Sequence, residues 1–277
     1  MRLFYRLSYP RSVLTKAEVF RRLHLSAPIL VLPNAWDVAS ARIFESTGFP
    51  ALGSTSAGIA FALGYPDGQR ISRGEMLEVV ARIARAIHIP VTADVEAGYD
   101  DAVETARQVW AAGAVGMNLE DTYGEDRLIE EAEQTATIRA IRKATPEMVI
   151  NARTDIFLNA IGDEATRFDR AVQKLNAYRN AGADCLFAPG VRDRATVGRL
   201  VKAVRGPLNV LAGEGTPSAP DLQEMGVARV SVGSGPMRAT MGLVYRIARE
   251  LRESGSYTSF TDGAVPYAEL NRLLGSG

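Results

Sequence analysis

The chain has 277 residues, room for one large α/β domain or two small ones, and its 47% hydrophobic and 23% charged residues are those of an ordinary soluble globular protein. Lysine plus arginine equal aspartate plus glutamate at 32 each, so charge makes no case for nucleic-acid binding, and no apolar run approaches the roughly 18 residues of a membrane span. Cys185 is the only cysteine and His24 and His88 the only histidines, which excludes an intrachain disulfide and the common zinc spacings and points to a reducing, cytoplasmic setting.

Residues 1–16 carry Arg2, Arg6, Arg11 and Lys16 and no acid, but they lack the apolar core of a secretory signal. Residues 1–14 read as an N-terminal extension and 15–277 as one domain. Thr15, with Glu18 three residues on, is a capping box for a first helix. Apolar strands are expected at 29–33 and 51–54, at the start of 90–98, and at 115–120, 148–153, 185–188, 208–211 and 229–232. Helices are expected at 37–46, at 75–87 behind a Ser72 cap, and at 101–112, 130–144, 164–181, 194–204, 220–225 and 236–253. A small-residue loop follows the second strand, and a last short helix fits 267–274. Eight short strands alternating with helices predict an α/β fold, a parallel (β/α)8 TIM-type barrel. An open doubly wound sheet is the alternative.

The C-terminal ends of such strands share one mouth. Reading them off gives Asn34 and Asp37, then Ser54, Thr55 and Ser56, then Asp94 and Glu96. Asn118, Glu120 and Asp121, Arg153 and Asp155, and finally Asn209 follow. Asp94 and Glu96 are two apart, so on a strand they face the same side and repel unless a cation or a shared proton lies between them. Carboxylates without histidine or cysteine suit a hard cation such as Mg2+, which keeps several waters and binds one or two carboxylates directly. Arg153 could grip a substrate carboxylate by a bidentate fork, or pair with Glu120 or Asp121. Cys185, among apolar neighbours, reads as a buried structural thiol.

Leu32-Pro33-Asn34-Ala35-Trp36-Asp37, Leu63-Gly64-Tyr65-Pro66-Asp67, Asp94-Val95-Glu96-Ala97-Gly98-Tyr99, Leu119-Glu120-Asp121 and Ala152-Arg153-Thr154-Asp155 stand in this order. As a set they resemble the motifs of the isocitrate lyase/phosphoenolpyruvate mutase superfamily. The resemblance implies a (β/α)8 barrel, dependence on Mg2+ with Mn2+ as a substitute, and α-oxo acid chemistry. It also implies a homotetramer whose subunits exchange the final barrel helix. It assigns Asp94, Glu96 and Glu120 to the metal, with Asp94 nearest the ion and Glu120, like Asp67, acting through bound water. Arg153 takes the substrate carboxylate. Ser54, Thr55, Ser56, Asp67 and Asn209 fall at substrate-binding positions.

The loop after the fourth strand departs from the family. Lyases of the family carry Lys-Lys-Cys-Gly-His there and the mutases Lys-x-Asn-Ser, whereas this chain reads Asp121-Thr122-Tyr123-Gly124-Glu125-Asp126-Arg127. Tyr65, Tyr123 and Glu125 are the candidates for the missing catalytic acid. The expected activity is Mg2+-dependent carbon–carbon cleavage of a small α-oxo or 2-hydroxy di- or tricarboxylate through a metal-stabilised enolate. The alternatives are an oxaloacetate-type decarboxylase or hydrolase, or a weakly catalytic protein that binds an α-oxo acid.

Overall fold

Short, largely apolar runs form the staves of the sheet, and Pro33 sets how the first of them is used. In the computed structural model, which describes residues 14–124 and 127–275, β1 (Leu30–Leu32) and β2 (Asn34–Ala35) are parted only by Pro33, whose nitrogen has no hydrogen to donate to a ladder. The remaining parallel staves are β3 (Leu52–Ser54), β4 (Val91–Asp94), β5 (Gly116–Leu119), β8 (Val149–Arg153), β9 (Cys185–Phe187), β10 (Leu208–Leu211) and β11 (Arg229–Ser231). A small antiparallel hairpin, β6 (Thr122–Tyr123) with β7 (Arg127–Leu128), rises from the loop after β5.

The nine parallel strands run in the order β1-β11-β10-β9-β8-β5-β4-β3-β2. Because β1 and β2 are successive parts of one stretch, the sheet returns to its start and nearly closes as a TIM-type barrel. The helices α1 (Lys16–Leu23), α2 (Val38–Ser46), α3 (Ser56–Ala62), α4 (Arg73–Ala86), α5 (Ala102–Ala111) and α6 (Glu131–Ala144) are followed by α7 (Glu164–Ala181), α8 (Arg194–Ala203), α9 (Ala219–Glu224), α10 (Gly235–Glu253), α11 (Thr258–Thr261) and α12 (Tyr267–Gly275). The Thr15–Glu18 box caps α1 as expected. Helix α3 replaces the expected loop: the Thr55 hydroxyl accepts from the Gly58 amide and starts a helix of small residues.

Helix α1 plugs the bottom of the barrel. Phe20 and Leu23 pack with Leu30, Leu32, Val115 and Val149 in a buried cluster. Gly116 makes room for this plug, since a Cβ there would lie 2.8 Å from the Phe20 ring and 3.0 Å from the Val149 carbonyl oxygen. The long α10 behaves differently from the inner helices. Of its residues only Met237 is buried, while Val244 and Tyr245 are 53% and 75% exposed. Among the described residues no helix is long and apolar enough to cross a membrane.

Candidate active site

The opposite end of the barrel holds a cavity of about 490 Å³. Asp67, Asp94, Glu96, Glu120, Asp155 and Arg153 all line it. Strand register explains the convergence: Asp94 pairs with Asn118 and Asn118 with Asn151 across β4, β5 and β8, so equivalent positions on successive staves face the interior.

Asp94 is held from several directions. The Ser56 amide and hydroxyl donate to its Oδ2 at 3.0 and 2.8 Å, and Asn118 Nδ2 donates to its Oδ1 at 3.0 Å. Its own amide donates to the Ser54 hydroxyl at 2.9 Å. Ser54 is therefore a frame for Asp94, fully buried and absent from the cavity wall. Thr55 and Ser56 do line the cavity, but the donors of Ser56 are spent on Asp94, and the Thr55 amide donates to the Ala35 carbonyl. The Thr55 hydroxyl accepts from Gly58 and keeps its own proton, so the expectation that this trio offers open donors to a substrate narrows to that hydroxyl.

Glu96 carries the strain of the site. Its φ is 54° and that of Tyr99 is 61°, a left-handed backbone that costs a non-glycine residue about 1–3 kcal/mol. The turn is tight: a Cβ on Gly98 would fall 2.5 Å from the Ala102 Cβ. Glu96 is buried, and its Oε1 has no hydrogen-bond partner. Burial, reinforced by Asp94 and Asp67, pushes its carboxyl up to about 8. Burial also raises Asp67 above the usual carboxylate range. The Tyr99 hydroxyl, buried and unpartnered, is pushed up by burial and then by Glu96, Asp94, Glu120 and Asp67.

Arg153 is gripped by protein carboxylates. Its Nη1 lies 2.5 Å from Glu120 Oε1, and its Nε and Nη2 meet Asp155 at 2.5 and 2.9 Å. Burial pulls the guanidinium down, yet Glu120 and Asp155 outweigh it and keep the group charged. Burial drives the Glu120 and Asp155 carboxyls up against the pull of the arginine. Asp121, the other expected partner, accepts instead from the Tyr178 hydroxyl at 2.6 Å and from the Asp155 amide at 3.0 Å, anchoring the start of the loop after β5.

Three other expected members lie elsewhere. Tyr65 donates to Glu75 at 3.0 Å and Tyr123 to Glu133 at 2.7 Å, and neither lines the cavity; helix α4 and helix α6 draw these hydroxyls away. Asn209 is fully buried below the mouth, where its Nδ2 donates to Ser231, because it pairs with Arg229, one inward position below Ser231. Glu125 lies outside the described residues. The structure adds Gln69, Arg70, Phe187, Ser231 and Ser234 to the wall, and it places Arg229 in the barrel interior, where burial lowers its guanidinium to about 10. Strand alternation puts Arg229 and Ser231 on one face, a signal available in the sequence. Cys185 is buried and its thiol is pushed up to about 12 by burial, as a structural thiol should be.

Among the described residues no group of three His, Cys, Asp or Glu side chains is arranged to hold a bare ion; a hydrated Mg2+ needs only one or two carboxylates and its own waters. The unpartnered Glu96 Oε1 and the crowding of raised carboxyls fit such a cation. In metal-free protein the folded state should hold a proton on Glu96 that the unfolded chain releases near 4.5. Stability should therefore fall as pH rises from about 4.5 to about 8. The ceiling is about 5 kcal/mol at about 1.4 kcal/mol per pH unit, and relaxation of the site reduces it. We expect the melting temperature in chelator to drop by about 5–10 °C between roughly pH 5 and 8.5, as measured by calorimetry. Saturating Mg2+ or Glu96→Gln should make the slope shallower, the raised Asp67, Glu120 and Asp155 carboxyls keeping the remainder; a slope unchanged in Glu96→Gln would remove Glu96 as a source.

A profile of the family described as phosphoenolpyruvate phosphomutase matches residues 20–252. An uncharacterised protein of Mycobacterium tuberculosis is 37% identical over 257 residues, covering 92% of this chain and 95% of that protein. An oxaloacetate decarboxylase of Rhodopseudomonas palustris is 32% identical over 254 residues, covering 85% and 81%. The crystal structure of a Burkholderia cenocepacia protein, provisionally described as a lyase/mutase, superposes with a TM-score of 0.87 at 37% identity, covering 94% of this chain and 96% of that one.

Proposed function

Because this chain belongs to the phosphoenolpyruvate phosphomutase family of the isocitrate lyase/phosphoenolpyruvate mutase superfamily, we propose that it is a metal-dependent carbon–carbon lyase for a small α-oxo or 2-hydroxy di- or tricarboxylate. The observation that carries this is the gathering of Asp67, Asp94, Glu96 and Glu120 on one cavity that also presents Arg153. Asp94 would hold the ion directly, and Glu96, Asp67 and Glu120 would accept from its waters. A divalent ion there supplies a Lewis acid for the oxo group. Arg153 has five N–H donors, enough to keep both protein carboxylates and still orient a substrate carboxylate. Phe187, over which the guanidinium sits at 5.7 Å, fixes its plane.

Within this class a β-oxo acid such as oxaloacetate stands first. Among the described residues no lysine, histidine or cysteine lines the cavity, its acids are committed in this reading to the ion, its waters and Arg153, and the hydroxyls of Tyr65 and Tyr123 are engaged elsewhere. Decarboxylation of a β-oxo acid starts without a base, whereas retro-aldol cleavage needs one. The expected result is Mg2+-dependent release of pyruvate from oxaloacetate, with slower or no turnover of substituted malates and citrate analogues, measured with and without chelator. Absence of metal-dependent turnover across the panel would overturn the enzyme reading and favour binding of an α-oxo acid without chemistry.

The exposed apolar positions of α10 support the exchanged-helix tetramer. Light scattering should give about four times the 29.9 kDa chain mass, and a Val244→Glu, Tyr245→Glu variant should fall to a smaller species. A wild-type protein that runs as a monomer would overturn this assembly.

A further inference from the structure

Among the described residues the largest fully buried side chain is an arginine, Arg229. It sits on β11, an interior position flanked by Leu30 and Asn209 on the neighbouring staves. In the strand order β10, β9 and β8 separate β11 from β5 on one side, and β1–β2, β3 and β4 on the other, so the two staves face each other across the barrel. Arg229 spans that width: its Nη2 donates to Asn118 Oδ1 on β5 at 3.3 Å.

No carboxylate pairs with it among the described residues, and its Nε and Nη1 have no partner. A buried cation with no carboxylate in contact, drawn by the more distant Asp94, is unfavourable for the fold, and an apolar residue would suit the interior better. Stability alone therefore does not account for it. The contact on Asn118 offers another account. Asn118 Oδ1 accepts from Arg229 and also from Asn151 Nδ2, the latter at 2.8 Å. Two donors on one oxygen fix the orientation of the amide. A flip would turn an NH2 toward the guanidinium and an oxygen toward the Asp94 carboxylate. Locked as it is, Asn118 presents Nδ2 to Asp94 Oδ1 at 3.0 Å.

We propose that Arg229 is a positioning residue that acts through Asn118, setting the orientation of Asp94 from the opposite wall of the barrel and thereby tuning metal affinity. This rests on the reading of Asp94 as a metal ligand. Outer partners that orient a ligand typically change metal affinity by about 10–100-fold when removed.

The test is calorimetric titration of Mg2+ into the metal-free protein, paired with its thermal melt. Arg229→Met keeps the stem and removes the charge and donors. It should bind Mg2+ at least about tenfold more weakly, while its metal-free melting temperature stays level or rises. Affinity within about twofold of wild type would overturn the role. If Arg229→Met does not fold, Arg229→Lys decides, since the ammonium keeps the charge but lacks the planar fork. Weaker binding by about threefold or more supports the role, and wild-type affinity overturns it. A wild-type protein that binds neither Mg2+ nor Mn2+ would overturn the metal reading separately. The relay would then be read from a crystal structure of the metal-free variant. Loss of the Asn118–Asp94 contact supports it, and a contact kept near 3.0 Å overturns it.

Discussion

Replacing Asp94 with asparagine is expected to lower metal-dependent turnover by roughly a thousandfold, about 4 kcal/mol of barrel-mouth chemistry at about 1.4 kcal/mol per decade. The substitution keeps size and shape, so the loss should come from charge and hydrogen-bond polarity. Asp94 accepts at both oxygens, from Asn118 on one and from Ser56 on the other. An amide cannot do this: its NH2 must face one of those donors, at about 1–3 kcal/mol for the unmet group. Against this, neutralising the residue eases the repulsion that helps raise Glu96. Net folding stability should therefore change little, and the effect should appear in Mg2+ titration and in turnover. Turnover within tenfold of wild type would shift the direct ligand to Glu96 or Glu120.

Arg153→Met should be the most destabilising single change at the site. It strands Glu120 and Asp155, which now share one guanidinium, and breaking a buried ion pair from one side costs about 3–5 kcal/mol. At that size the melting temperature should fall by about 10 °C. The loss should shrink at acid pH, where the two stranded carboxyls take up protons, so urea unfolding near pH 5 and pH 8 separates this cause from a packing defect. Arg153→Lys should recover little, because one ammonium cannot reproduce contacts made by Nε, Nη1 and Nη2 together. A variant whose destabilisation is the same at both pH values would point to packing against Phe187 instead.

The acids were legible in the sequence because strand ends advertise them. Asp94, Glu96, Glu120 and Arg153 each close a short apolar run, and a barrel brings such ends together without further information. Caps were equally plain: Thr15 with Glu18, and Ser72 before its helix, act over three or four residues, whereas Asp37, read as the first residue of its helix, turns out to cap it. Direction was harder to read. Ser54 ends its strand as convincingly as Asp94 does, yet its hydroxyl turns to the Asp94 amide and away from the cavity. Tyr65 sits in the loop after α3 and Tyr123 on β6, and their aim depends on Glu75 and Glu133, acids on neighbouring helices that no local pattern links to them. Arg229 looked like one residue of an eighth apolar strand. Its alternation with Ser231 puts it inside, but its partner lies on a stave 111 residues away.

The plug formed by α1 has a consequence for traffic. Among the described residues Phe20 and Leu23 fill the floor, which leaves the mouth at the opposite end as the way in and out of the cavity. On the function proposed above, the fragments of one cleavage would share that mouth, and a fragment whose carboxylate Arg153 held would be the later to leave. Product inhibition competitive with substrate is then the expected kinetic pattern.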